Sequence, residues 1–512
     1  MSPALAGGVL LIDGRWHGLG LGYLAIMMLC VAALGVCVFP RIPGKKVLVP
    51  FGGLLFVLAW VMAVALPWQF PVRDLPAPDG PHAVGIVDFE LTDTSRQDPF
   101  CESNPCGDRR LQIRVWYPAQ DNNLSPKPYA TRAEIESSLA GLAGTMSLTA
   151  DIFSHLNLIE THSVVGAPIV EEDNLPVVIF SHGLYSYLWQ NTVLMEHLAS
   201  HGYLVYALHH PYDAAAVRFD DGMEIRAWIP EQNPEQEALK ALREKAYSES
   251  DLDARFDFFL SYIEKALSIN DSKLLRSAPH WQKDQLFVLD SLLASKLPKK
   301  VKAIAEKGNY RSVAFAGMSF GGSTAMAACH QSEHCIAQIN LDGADSHFGG
   351  VNKMAPAPLL HLYQDHHRQL QHKAPDLPVN KALMFNDFSI QAFERETRMP
   401  KSFQYIVSGS NHFGFTDSSV LLAGFAATLL SGEPDGERLL ELQNDFVAAF
   451  LDQQMRNRKN GFPERQEAEW GSFVMKHKAE KVPLWWEGLP DRKKQAWLER
   501  LAEIQGKLKK YY

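Results

Sequence analysis

The pentapeptide Gly317-Met318-Ser319-Phe320-Gly321 sets a serine between two glycines. The apolar Val313-Ala314-Phe315 precedes it, and Gly322 and the helix-like Ser323-Thr324-Ala325-Met326-Ala327-Ala328 follow. Gly-x-Ser-x-Gly at a strand-to-helix junction makes a tight turn that lifts the hydroxyl clear of its backbone neighbours. The small residues let strand and helix approach closely, and the helix N-terminus faces the charge that develops when a serine attacks a carbonyl. The competing reading is a glycine-rich turn without chemistry; the flanking strand and helix favour a nucleophile.

A hydroxyl is a weak nucleophile and needs a base, and the base needs an orienting acid. Ile336-Ala337-Gln338-Ile339-Asn340-Leu341-Asp342-Gly343 reads as a buried strand ending in an acid. Asp342 then lies at a strand C-terminus, on the same sheet edge as Ser319; Asp345 and Asp365 are its rivals. Phe403-Gln404-Tyr405-Ile406-Val407 predicts another strand, followed by a loop that holds His412. Its place after the last predicted strand singles out His412 among 19 histidines. Upstream, Leu175-Pro176-Val177-Val178-Ile179-Phe180 runs directly into Ser181-His182-Gly183-Leu184. Such a loop supplies one backbone N–H to a tetrahedral oxyanion, and the residue after the nucleophile supplies the other. These donors are Leu184 and Phe320. His182 reads as a loop-shaping residue rather than a base.

Together these stretches resemble the platelet-activating-factor acetylhydrolase family, including its bacterial lipase-like members. The matching pieces are Gln112-Ile113-Arg114-Val115-Trp116-Tyr117-Pro118, Phe180-Ser181-His182-Gly183-Leu184, Leu198-Ala199-Ser200-His201-Gly202-Tyr203, Gly317 to Gly322, Leu341-Asp342-Gly343 and His412. They recur in one order over roughly residues 84 to 455. The resemblance implies an α/β-hydrolase fold with a mostly parallel central sheet, Ser319 as nucleophile, Asp342 as acid, His412 as base, and Leu184 and Phe320 as oxyanion donors. It also implies hydrolysis of short or oxidised acyl esters of phospholipids without a metal or cofactor. The chain departs from the family at Met318, where His is usual, at Tyr185, where Gly is usual, and at Leu208-His209-His210-Pro211, where Glu-His-Arg-Asp is frequent. No triad member is lost, so the reaction class carries over more safely than the substrate.

The chain has 512 residues, 46% of them hydrophobic, and a net charge of -9. That allows a large core with extensions and gives no basic stripe for nucleic acid. Two runs near the N-terminus, from Gly18 to Phe39 and from Val47 to Val72, carry no charge. Each exceeds the roughly 20 residues that cross a bilayer as a helix, so two transmembrane helices are expected before the hydrolase domain. The first run starts late and lacks a basic leader, which argues against a cleaved signal peptide. Arg41, Lys45 and Lys46 lie between the runs, with only Arg15 and Arg73 outside. The positive-inside rule puts the short loop in the cytoplasm and the catalytic domain on the other side. That compartment permits disulfides; Cys101 with Cys106, and Cys329 with Cys335, are the candidate pairs. Zinc at Cys329-His330 and His334-Cys335 is the rival, disfavoured for want of a standard ligand spacing. His366, His367 and His372 read as a polar loop face.

The expected organisation is a membrane anchor at 1–75, a Pro-rich linker at 76–83, a catalytic domain at 84–455 with a helical insertion at about 211–310, and a helical extension at 456–512. Residues from Ala130 to Leu158 read as helical and suit a lid. In the insertion, Asn233 and Pro234 give a helix start, and Phe256, Phe259 and Ile263 recur at helical spacing. The insertion is expected to shape access to Ser319. Leu439, Leu442, Phe446 and Phe450 share one face of a closing helix. Trp470, Trp485, Trp486 and Trp497 mark the extension, expected to pack on the main domain rather than on a membrane.

The resulting expectation is a membrane-anchored, extracytoplasmic serine esterase acting on short-acyl or related lipid esters. A general carboxylesterase or cutinase-like polyester hydrolase is the enzymatic alternative. A non-catalytic anchored binding domain is the alternative of another class, and a peptidase finds no support.

Overall fold

The computed structural model describes residues 68–98, 100, 107–121, 124–145, 147–229, 233–249, 251–269, 273–344, 357–368, 402–477 and 481–508. The first apolar run, the second as far as Pro67, the Cys101/Cys106 pair, Asp345 and His372 lie outside these residues. Among the described residues no helix is long and apolar enough to cross a membrane.

The strands are β1 (Ala83–Gln97), β2 (Asp108–Ala119), β3 (Ser163–Val165), β4 (Leu175–Ser181), β5 (Leu204–His209), β6 (Ala216–Arg218), β7 (Glu224–Arg226), β8 (Gly308–Met318), β9 (Cys335–Leu341), β10 (Leu359–Tyr363), β11 (Ser402–Val407) and β12 (Val474–Lys476). Ten of them form one sheet in the order β12-β11-β10-β9-β8-β4-β5-β2-β1-β3, and β6 with β7 makes a small hairpin. From β5 through β4, β8, β9 and β10 to β11 the neighbours are parallel. β2 joins β1 and β5 antiparallel, and β12 joins β11 antiparallel. This mixed, mostly parallel sheet is that of an α/β-hydrolase-like fold.

Burial on both faces explains why the central strands are near-continuous apolar runs. Along β4, Val178 and Phe180 point into one core with Leu194, Leu198, Phe446 and Phe450. The alternate residues Val177 and Ile179 point into the other with Val288, Leu292, Ala325 and Ala328. The helices covering the two faces include α1 (Thr192–Ser200), α4 (Lys273–Leu293), α5 (Phe320–Gln331) and α6 (Gly436–Arg456). The insertion adds α2 (Pro234–Ser248) and α3 (Leu252–Ser268). Asn233 caps α2, its side chain accepting the Gln236 N–H, with Pro234 in the first turn.

Two boundaries differ from expectation. Phe462, Trp470 and Val474 are buried in the main core and β12 extends the sheet, so the core continues past residue 455. The stretch before β1 is no free tether. Leu75 is buried, Gln69 accepts hydrogen bonds from the N–H groups of Ala423 and Ala426, and Leu75 O lies 3.1 Å from His162 Nε2. The last helix, α7 (Asp491–Leu508), packs on the insertion: Trp497, Leu501 and Ile504 meet Phe256, Phe259 and Ile263 of α3. Arg500 forks across Glu264, with both bonds at 2.8 Å. Cys329 and Cys335 are joined in a disulfide, which leaves neither for zinc.

Trp497→Ala should destabilise the insertion and α7 together by about 3 kcal/mol, the typical cost of truncating a buried aromatic. Limited proteolysis should then cut first within residues 233–268. An unchanged cleavage pattern would show that α7 does not hold the insertion.

Candidate active site

Ser319 follows β8 and caps α5 with φ +55° and ψ −126°, a sparsely populated positive-φ conformation that costs a side-chain-bearing residue about 1–3 kcal/mol. Its N–H donates to Leu341 O at 2.8 Å, which locks the turn onto β9. The approach behind it is as tight as backbone allows. A Cβ at Gly321 would fall 2.1 Å from Ser181 O and 2.4 Å from His182 O, so only glycine lets α5 pass the end of β4.

Asp342 follows β9, also at positive φ (+55°), and its N–H donates to Leu362 O of β10. Asp342 Oδ2 lies 2.5 Å from His412 Nδ1, and His412 Nε2 lies 2.9 Å from Ser319 Oγ. With Nδ1–H donating to the carboxylate, Nε2 is left as acceptor for the serine hydroxyl. The other carboxylate oxygen accepts the Gln364 N–H at 2.9 Å and lies 3.5 Å from His366 Nε2. Burial alone would push the Asp342 carboxyl up, but the hydrogen bonds from His366 and His412 outweigh it and hold the group well below the usual carboxylate range. It is therefore a full negative charge at neutral pH.

Asp365 does not reach His412. It accepts the Gly409 N–H at 2.8 Å and so holds the loop on which His412 stands. Asp417 holds the other end of that loop: buried, it accepts N–H bonds from Thr192 and Val193 at the start of α1 and the hydroxyl of Tyr129.

The N–H groups of Leu184 and Phe320 have no acceptor among the described residues; Phe320 follows Ser319, and Leu184 packs in the same small cluster as Phe320. The Leu184 loop is pinned on each side. Gln190 Oε1 accepts the Gly183 N–H at 3.1 Å, and the Tyr185 N–H donates to Asp213 O at 2.7 Å. Tyr185 has φ +60°, which explains why glycine suits this position; here a tyrosine carries the strain. His182 touches neither Ser319 nor Asp342. Its Nδ1–H donates to Gly183 O, and burial beside His210 lowers its pKa to about 3, so it stays neutral and shapes the loop.

Sequence reasoning missed two groups. His366, read as part of a polar loop face, lies against the triad carboxylate. Behind the oxyanion loop runs a buried polar chain: Ser181 Oγ is 3.0 Å from His210 Nε2, His210 Nδ1 is 2.9 Å from Asp284 Oδ2, and Asp284 accepts Arg109 Nη2 at 2.7 Å. Trp281 stacks on His210 at 3.8 Å and meets Phe320 edge-on at 4.9 Å. Asp284 and Trp281 belong to α4, so the insertion reaches the site from the interior. The one sequence signal was the departure at Leu208-His209-His210-Pro211, since 74 residues separate His210 from Asp284.

A strand-turn-helix serine, a histidine on its hydroxyl, a buried carboxylate behind that histidine and two unpaired N–H groups define the serine hydrolase class. A family model of platelet-activating factor acetylhydrolase, isoform II, matches residues 69–469. Platelet-activating factor acetylhydrolase of Cavia porcellus is 24% identical over 405 residues, covering 77% of this chain and 80% of the relative. That of Canis lupus familiaris is 22% identical, covering 75% and 78%. A ferulic acid esterase from Streptomyces cinnamoneus superposes with a TM-score of 0.54 at 23% identity, covering 80% of this chain and all of that one, and supports the fold. The chain belongs to the platelet-activating factor acetylhydrolase isoform II family and is a serine esterase.

His210→Phe preserves the stack on Trp281 but removes the bond to Ser181. It should lower kcat roughly tenfold, about 1.4 kcal/mol, with little change in KM, if the chain positions the oxyanion loop. Asp284→Ala should cost about 3–5 kcal/mol of stability, because it leaves the buried Arg109 with Asp98 as its one remaining carboxylate. Steady-state kinetics and chemical denaturation separate the two effects.

Proposed function

We propose that Ser319, His412 and Asp342 cleave carboxylic esters of short-acyl phospholipids or related lipids through an acyl-enzyme. The observation that carries this reading is the hydrogen-bonded chain from Asp342 through His412 to Ser319. Ser319 Oγ bonds to the ester carbonyl carbon while His412 Nε2 takes the hydroxyl proton. The Leu184 and Phe320 N–H groups receive the oxyanion, each donor worth about 3 kcal/mol in comparable sites. As the tetrahedral intermediate collapses, the ester C–O bond breaks and His412 gives its proton to the leaving alcohol. Water, deprotonated by His412, then adds to the acyl-enzyme; collapse releases the acid and restores Ser319. Asp342 stays ionised, holds the imidazole tautomer and stabilises the imidazolium. No step calls on a metal or cofactor.

The lipid part of the reading rests on the family and on the apolar surface beside His412. Phe413 is 41% exposed, and Phe425 and Leu429 of the helix Gly424–Ser431 are 71% and 59% exposed. That helix is bound to the active-site loop through Asn411, whose side chain donates to Leu429 O. Trp68, 61% exposed, is the first described residue of the second apolar run. A membrane anchor in the apolar runs ahead of residue 68, with the catalytic domain outside the cytoplasm, would set this surface against a bilayer. A general carboxylesterase is the second reading, favoured by Met318 at the end of β8 and Tyr185 in the oxyanion loop.

Hydrolysis of p-nitrophenyl esters of increasing chain length should fall steeply beyond short acyl groups and vanish in Ser319→Ala. Asp342→Asn should lower kcat by about 10⁴. Sustained activity on long chains would favour a lipase, and an inert, folded wild type would sink the triad assignment. For topology, alkaline phosphatase fused at residue 80 should be active and a cytoplasmic reporter at the same position silent; the reverse would refute the placement.

A further inference from the structure

A second convergence of titratable groups lies at the far end of α1, outside the active site. α1 spans nine residues, about 13 Å. Its N-terminus binds Asp417, near His412; its C-terminus carries His197 and His201, one turn apart on the same face. Asp79, from the segment before β1, reaches both. Asp79 Oδ1 is 3.0 Å from His197 Nδ1 and 3.6 Å from His201 Nε2. All three donor atoms lie within 4.8 Å of one another.

The hydrogen bonding leaves one of these contacts unexplained. His201 Nδ1 is 2.8 Å from His197 O, so it carries a proton and donates there. That leaves Nε2 facing a carboxylate oxygen at 3.6 Å, where two bare lone pairs would repel, so a cation or a proton lies between them. The spacing suits a cation. Ligands sharing one tetrahedral zinc at bonds of about 2.0–2.1 Å sit about 3.3 Å apart, and the two observed separations fall on either side of that value.

The carboxylate is also held in place. The Gly80 N–H donates to Ser200 Oγ at 3.1 Å, and the His82 N–H donates to Ser200 O at 3.1 Å. A Cβ at Gly80 would fall 2.3 Å from the Ser200 carbonyl carbon, so this glycine permits the contact. The backbone on the other side is braced by Arg456, whose guanidinium donates to His201 O and Gly202 O.

We propose that Asp79, His197 and His201 form a divalent-metal site of the zinc class, which staples the segment before β1 to the C-terminus of α1. Two imidazoles with one carboxylate select borderline first-row cations over Mg²⁺ and Ca²⁺, which prefer all-oxygen shells. The His201 ligand is oriented by the bond from its other ring nitrogen to the His197 carbonyl, as metal-binding histidines commonly are. The bound ion would fix residues 68–82 against the hydrolase domain, and with them the point from which the N-terminal runs depart.

The test uses the full-length chain, stripped with a chelator and titrated with Zn²⁺ against a chromogenic competitor. Wild type should take up one zinc that His201→Ala and Asp79→Asn each bind roughly tenfold more weakly or worse. Excess Ca²⁺ should not displace it. Zinc should protect the 68–82 segment from protease in wild type and not in the variants. His201→Ala should keep its ester hydrolysis, showing that it is folded. Equal zinc uptake by wild type and both variants would overturn the site. So would the absence of saturable uptake by folded wild type, which would assign the contact to a proton on His201.

Discussion

The molecule turns on the crossing of two backbones behind Ser319. The first turn of α5 passes the end of β4 so closely that the position of a Cβ at residue 321 is already occupied by the Ser181 carbonyl. This contact fixes the Ser319 hydroxyl and the oxyanion loop relative to each other, because Gly321, two residues after the nucleophile, lies directly against the backbone of Ser181 and His182. The positive-φ conformation of Ser319 is the strain that goes with it, and the bond from Ser319 N–H to Leu341 O is part of what offsets it. Asp342 repeats the pattern one strand over, with a positive φ and a backbone bond to the next strand, Leu362 O. The sheet thus sets the triad as a row of adjacent strand ends, and the side chains need little freedom to meet.

Buried charge does the second part of the positioning. Arg109 and Asp284 are each fully buried, and Asp98 adds a second carboxylate on Arg109. Burial would push the Asp284 carboxyl up, but the Arg109 charge and the His210 hydrogen bond hold it well below its usual range. Such a cluster contributes little net stability, since the desolvation cost is comparable to the attraction. It does contribute a single geometry. Asp284 comes from the insertion, His210 from the turn after β5 and Ser181 from the end of β4, so three distant parts of the chain have only one arrangement that satisfies all their polar groups.

The triad was legible because each member follows a strand, in an order set by topology, and strands of this sheet read as apolar runs. Helix starts such as Asn233-Pro234 were legible because a cap is a local interaction. The contacts that escaped are all long-range or all backbone. His366 looked like one of several loop histidines, since nothing local to it points to Asp342. β12 has only three residues, too few for a period to show. The Pro-rich stretch before β1 reads as a tether by composition, but it docks through backbone groups at Gln69, Gly80 and His82 and through one buried side chain, Leu75. Composition does not report where backbone hydrogen bonds go.

The insertion and the C-terminal helix illustrate how an appendage acquires influence over a site it does not line. α3 has an apolar face too large for the insertion to cover alone, with Phe256, Phe259 and Ile263 on it; α7 supplies Trp497, Leu501 and Ile504 to cover it. α4, from the same insertion, turns away from that satellite core and runs into the main one, where Val288 and Leu292 pack beneath β4 and β8. One face of α4 is therefore anchored by ordinary packing, and its polar residues Ser277 and Asp284, with Trp281, are delivered to Asp213 and His210 at fixed positions. A substitution in α7 loosens α3, whereas α4 is held by the sheet. The rigidity of the oxyanion loop thus rests on the inner helix of the insertion, which the sheet holds and which packs Ala278 and Trp281 against Phe320, rather than on the outer helices that α7 covers.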